Sequence, residues 1–190
     1  TTSISVSGTS NLGANVTTSG TQTYTGATTL SGGDRTLTAT TVNFGNTLTG
    51  TGSHDLIVTG NLDLDGALTS VVDLSVSGTS NLGANVTTSG TQTYTGAAII
   101  SANISLTGGS QLTFSSTVDS SDTDGTTDSR TLTTTFTETE FDGAVGGTYA
   151  LGALDINGNL DLDAAITSAA SIDVSGTSNL GANVTTSGTQ

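Results

Sequence analysis

Residues 5–27 read SVSGTSNLGANVTTSGTQTYTGA, and residues 75–97 read the same, letter for letter. The segment starts a third time at Val174 and runs to Gln190. A chain that copies itself in this way is a repeat array. Each unit of such an array buries its apolar face only by stacking on the next.

A shorter motif runs through and around the copies: alternating apolar positions, one further residue, then Gly. Examples are Ile4-Ser-Val6-Ser-Gly8, Leu56-Ile-Val58-Thr-Gly60, Leu154-Asp-Ile156-Asn-Gly158 and Ile172-Asp-Val174-Ser-Gly176. Gly8 to Gly26, Gly60 to Gly78, Gly78 to Gly96 and Gly158 to Gly176 are each 18 residues apart. Alternation predicts strands with one face inward. Asn-Leu-Asp-Leu-Asp at 61–65, and again at 159–163, shows it plainly. Leu62 and Leu64 point one way, Asp63 and Asp65 the other. Gly, Asn, Ser and Asp between strands supply corners. No window carries a helical stripe.

Three short strands and three corners in about 18 residues make one turn of a parallel β-helix. The expected fold is all-β: a solenoid of about ten coils, starting near residues 8, 26, 46, 60, 78, 96, 116, 143, 158 and 176. At the spacing of neighbouring strands it forms a rod of roughly 50 Å. The expected inward set is Ile4, Val6, Leu12, Val16, Tyr24, Leu30, Val42, Phe44, Val58, Leu62, Leu64, Val72 and their counterparts. The absence of Pro fits a fold in which every strand donates to a ladder. A meandering sandwich or barrel is the competing architecture. The exact copies disfavour it, because a closed barrel gives them different neighbours.

The chain reads as a single array, 1–190, of two modules, 4–73 and 74–171, with the start of a third at 172–190. Both full modules end in NLDLD. The second is 28 residues longer, expected as one more coil plus a protrusion. Asp119-Ser-Ser-Asp-Thr-Asp-Gly-Thr-Thr-Asp128 has no apolar residue, so 119–129 is expected to project as a loop between Val118 and Leu132.

Composition narrows the function. The chain has 16 acidic and two basic residues, for a net charge of −14. Phosphate backbones and anionic membrane surfaces are repelled, which argues against nucleic-acid and membrane partners. The same charge discourages bundling of long repetitive chains. With no Cys there is neither a disulfide framework nor a thiolate metal site. No signal peptide and no apolar run of bilayer length is visible. The chain is expected to be a slice of a longer protein, with targeting and anchoring segments elsewhere.

Phe141-Asp-Gly-Ala-Val-Gly-Gly-Thr-Tyr-Ala-Leu-Gly-Ala-Leu-Asp-Ile156 resembles the F-x-G-x-V-G-G…L-x-x-L-x-I coils of large secreted bacterial adhesins of the filamentous-haemagglutinin type. Gly90-Thr-Gln-Thr-Tyr-Thr-Gly-Ala97 is similar to the G-x-Q-T-Y-x-G-A segments of the same shafts. The resemblance implies a right-handed parallel β-helix, export across the outer membrane of a Gram-negative bacterium, and surface attachment. Those shaft repeats carry no catalytic residues.

Among candidate sites the acidic loop comes first. Asp119, Asp122, Asp124 and Asp128 bring several carboxylates to a Gly-containing turn, and Ca²⁺ takes six to eight oxygens at such spacings. The competing reading is a solvated polar loop. Paired outward carboxylates, Asp63/Asp65 and Asp161/Asp163, could bind a cation or act on a glycan. Glycan-active β-helices need a basic residue to hold an anionic sugar, and Arg35 and Arg130 are expected instead as structural partners of Asp34 and Asp128. His54 stands alone, with no second imidazole for a metal or a catalytic dyad, and is expected as a polar turn residue. Thr21-x-Thr23, Thr36-x-Thr38 and Thr91-x-Thr93 could build a water-ordering face only if stacked on one side of every coil.

The expected function is therefore a rigid structural or adhesive segment of an extracellular bacterial surface protein, with no enzymatic activity. Its expected partners are a surface receptor, a glycan or neighbouring copies of itself. A calcium-dependent binding module is the alternative.

Overall fold

The computed structural model describes residues 1–51, 54–122 and 128–190. Among the described residues every element is a strand, and all strands join one parallel sheet of 22 strands wound through about nine turns. At one strand spacing per turn the rod is roughly 43 Å long. This is the expected parallel β-helix.

The solenoid has three sides. The first stacks Ile4–Val6, Gln22–Tyr24, 41–44, 61–64, Ser80–Leu82, Ala98–Ile100 and Val118–Ser120, then Val145, Ile166 and Val184. The second stacks Ser10–Leu12, Thr28–Leu30, Leu48–Gly50, Leu68–Val71, Val86–Thr88, Ile104–Thr107, 132–135, 154–157 and 172–174. The third stacks Val16–Thr17, 35–38, 56–59, Leu74–Val76, Gln92–Tyr94, Gln111–Phe114, 138–141, 159–162 and Ser178–Leu180.

The identical segments do not lie above one another. Strand Ile4–Val6 is on the first side, its copy Leu74–Val76 on the third, and the third copy, 172–174, on the second. From one copy to the next the chain makes a whole number of turns plus two further sides, so each copy is rotated by a third of a turn. Identical sequence therefore tolerates all three sides. The reason is local: in every copy each strand finds a parallel neighbour in an adjacent rung and turns its apolar residues toward the interior, on whichever side it lies. The second module contains one more rung than the first, Ile104–Thr107, Gln111–Phe114 and Val118–Ser120.

Inward positions form a single core from Tyr24 to Ile172. Aromatic rings stack rung upon rung. Tyr24 lies on Phe44 at 5.4 Å between ring centroids, Tyr94 on Phe114 at 5.1 Å, and Phe114 on Phe141 at 5.4 Å. Beside each tyrosine sits a buried glutamine. Gln22 Nε2 donates to the carbonyls of Val16 and Thr38, and its Oε1 accepts from the Tyr24 hydroxyl. Gln92 repeats this with Val86, Thr107 and Tyr94. Burial alone is costly for an amide, so full pairing is the condition for having it there.

Corners are sewn to the next rung by short polar side chains. Asn15, Asn61, Asn85, Asn103 and Asn159 each accept from a backbone N–H of the following rung. Asp34, Asp55 and Asp73 do the same in series, accepting from the amides of Asp55, Asp73 and Thr91. At the Ala39–Thr40 bend the facing residue is Gly60, with φ of 128° and space for no Cβ: one would lie 1.9 Å from the Ala39 carbonyl oxygen.

Two expectations about the core change. Val72 is only half-buried, and Val71 takes the inward place at 2% exposure. Ser70 adopts φ of 61°, and the register slips by one residue there. Ile4, Val6, Leu12 and Val16 face inward but are half-buried, because the first rung is covered on one side only. At the other end Leu180 is 56% exposed for the same reason.

Candidate functional site

Most outward carboxylates are engaged in joining rungs. Asp63 shows the pattern: Asn43 Nδ2 of the rung below donates to it at 2.6 Å, and Asn81 Nδ2 of the rung above at 2.9 Å. Asp161 receives the matching amide of Asn179 at 2.9 Å. Asp65 sits beside Asp63; burial first, then the Asp63 charge, raises its pKa.

The protrusion is where the molecule departs from a plain rod. Asp119 is not in a loop. It lies inside strand Val118–Ser120, on the outward side, yet is 5% exposed. The turn at 146–150 from the next rung covers it. One carboxylate oxygen of Asp119 accepts from the backbone amides of Thr148 at 2.8 Å and Tyr149 at 3.1 Å, and the Ser120 amide donates to the Tyr149 carbonyl. The expected loop 119–129 thus begins later than the composition suggested. Asp122 interacts with the Tyr149 hydroxyl, and this hydrogen bond to a carboxylate is the first cause raising the Tyr149 pKa. Asp128 accepts from Ser121 Oγ at 2.6 Å and pairs with Arg130 at 3.2 Å. Asp124 lies outside the described residues. Two successive rungs therefore emerge at one corner and clasp each other.

Arg130 pairs with Asp128 as expected. Arg35 does not pair with the Asp34 carboxylate. Its guanidinium donates to carbonyls instead: Leu12 at 2.9 Å, Gly13 at 2.8 Å, the Asp34 main chain at 2.6 Å, and Ser31. Five fixed N–H groups suit a corner crowded with outward carbonyls. His54 lies outside the strands, half-buried, with Nδ1 3.9 Å from Asp34. Thr23 lies on the first side and Thr93 on the third, so the Thr-x-Thr units are not aligned on one face.

A second acidic group was missed in the sequence. Glu140, Asp142 and Asp163 bring one carboxylate oxygen each to within 4.8 Å of one another. The signal was the short spacing of Glu138, Glu140 and Asp142, but Asp163 joins them only through the pairing of Phe141 with Leu162. Glu140 accepts from Gln111 at 2.9 Å and Thr113 at 3.1 Å. Burial, then Asp142, Asp161 and Glu138, raise its pKa, against a lowering hydrogen bond from Thr113. Such oxygens are hard donors that suit a cation of the calcium or magnesium type.

No model of a protein family, no curated protein and no solved structure matches the chain. Among the described residues no helix is long and apolar enough to cross a membrane.

Proposed function

We propose that this chain is a rigid structural and adhesive segment of an extracellular bacterial surface protein or fibre. One observation carries the reading: the parallel ladder passes through every rung, and Asn and Asp side chains bridge the rungs again from outside. Such a stack resists bending and pulling, since extending it means breaking whole rungs. Its carboxylates serve as bridges and leave a negative surface that keeps neighbouring rods apart. The clasp that covers buried Asp119, with the half-buried Tyr149 at its surface, is the feature that a partner would meet.

The test has two arms. Single-molecule stretching between the chain ends should show resistance followed by stepwise release of rungs. Extension as a featureless soft coil would refute the stalk. Beads coated with the chain should be retained on bacterial or host-cell surfaces above uncoated beads. Equal retention would refute adhesion.

A further inference from the structure

We propose that the groove between Ile99 and Tyr149 binds a neutral glycan, an inference that rests on the adhesive reading above and gives it a site. The groove is lined by Asn81, Ile99, Ser101, Ser121, Asp122 and Tyr149, with a volume of about 390 Å³. That is within the range of small-ligand sites.

Three observations meet there. First, Ile99 is 36% exposed, one of two outward isoleucines with Ile57 at 40%, on a surface made mostly of Ser, Thr, Gly, Asn and Asp. The equivalent position of the first module is Thr29, which fills the same outward place without an apolar side chain. The fold does not ask for isoleucine here. Second, Tyr149 is the one tyrosine outside the core, since Tyr24 and Tyr94 are buried. It is also fixed before any ligand arrives. Asp119 holds its amide, Ser120 its carbonyl, and Asp122 its hydroxyl. A pre-positioned aromatic residue loses little freedom on binding. Third, hydrogen-bonding side chains surround the two apolar groups. Asn81, Ser101 and Asp122 offer donors and acceptors, while the hydroxyl of buried Ser121 is held by Asp128.

A pyranose ring matches this chemistry. Its C–H face packs on aromatic and aliphatic carbon, while its hydroxyls project sideways toward amides, hydroxyls and carboxylates. No lysine or arginine lines the groove, and the chain carries a net charge of −14. Sulfated or sialylated sugars are therefore repelled, and a neutral one is selected.

The probes are neutral tetrasaccharides of glucose, mannose, galactose and N-acetylglucosamine, with a sialylated tetrasaccharide and oligolysine as controls. Binding is read by amide chemical-shift changes. At least one neutral probe should shift the amides of Ile99, Ser121 and Tyr149, with neither control doing so. Ile99→Thr installs the residue of the first module, so the fold should be kept. Together with Tyr149→Ala it should weaken binding roughly tenfold or more, at an unchanged circular-dichroism spectrum. Unchanged binding in Ile99→Thr, or preference for either control, overturns the groove. If coated beads adhere while no neutral probe binds, the groove falls and the adhesive reading stands. If beads do not adhere, the adhesive reading falls on its own evidence.

Discussion

Asp63 in the first module and Asp161 in the second occupy the same place in the same NLDLD rung, but their neighbours below differ. Asp63 has Asn43 beneath and Asn81 above, both donating to it. Asp161 has Asn179 above, while the residue beneath is Glu140. A column of amide, acid, amide becomes one of acid, acid, amide. Like charges on facing strands destabilise a sheet, and opposite or neutral hydrogen-bonding pairs support it. The second module gives up a bridge and gains an acidic patch with Asp142 and Asp163. It also gains a rung and the clasp around Asp119. The first module keeps the bridged column, and the second carries the acidic group and the clasp.

The largest effect expected from breaking this comparison lies in the core. Phe114→Ala removes the middle ring of the three-ring stack in the second module and should cost about 3–5 kcal/mol. For a chain of this size that lowers the melting temperature by roughly 6–20 °C. Phe44→Ala touches one ring and should fall at the low end. Equal losses would show that stacking does not distinguish the modules.

Next comes the buried glutamine. Gln92→Ala strands the buried Tyr94 hydroxyl and takes one donor from the Val86 and Thr107 carbonyls, at about 1–3 kcal/mol. Gln22→Ala should match it, because the two networks are alike. Thermal melts of both variants check the equivalence.

Asp63→Ala should cost about 1 kcal/mol through two lost amide bonds. Asp161→Ala should cost less, since it also relieves repulsion with Glu140. A larger loss at Asp161 would reverse the comparison.

The smallest effect is a gain. Glu140→Asn rebuilds the Asn–Asp–Asn column and should stabilise by about 0.2–1 kcal/mol at pH 7. The sign follows from linkage. Glu140 has a raised pKa when folded, so the folded chain holds this proton more tightly than the unfolded one. Stability from this group is present in acid and lost as pH rises through the raised pKa. The advantage of Glu140→Asn should thus be larger at pH 7 than at pH 4, by comparison of melting curves. A pH-independent difference would remove Glu140 from the account.

The fold was legible because its rules are local. Leu62 and Leu64 alternate with Asp63 and Asp65, and glycines return every 18 residues. Both signals come from neighbours in sequence. What was illegible depends on which residue the next rung supplies. Asp119 reads as a loop residue because Thr148 and Tyr149, which cover it, come 29 and 30 positions later. Arg35 has an aspartate next door, yet corner carbonyls 22 and 23 residues back hold it. Val72 fails through one unusual backbone angle at Ser70. The Glu140, Asp142 and Asp163 group depends on rungs of unequal length. The one-third rotation of the copies follows from the two sides left over between them.

The winding itself can be tested directly, because the chain has no cysteine. In the register described, Asp63 is the facing neighbour of Asn81, and Asp161 of Asn179. The pairs Asp63→Cys with Asn81→Cys and Asp161→Cys with Asn179→Cys should therefore oxidise to disulfides within single chains, since one strand spacing suits the bond. Asp63→Cys with Ser75→Cys places the thiols on different sides and should stay reduced. Cross-linking of that third pair, or failure of the first two, would contradict the three-sided solenoid.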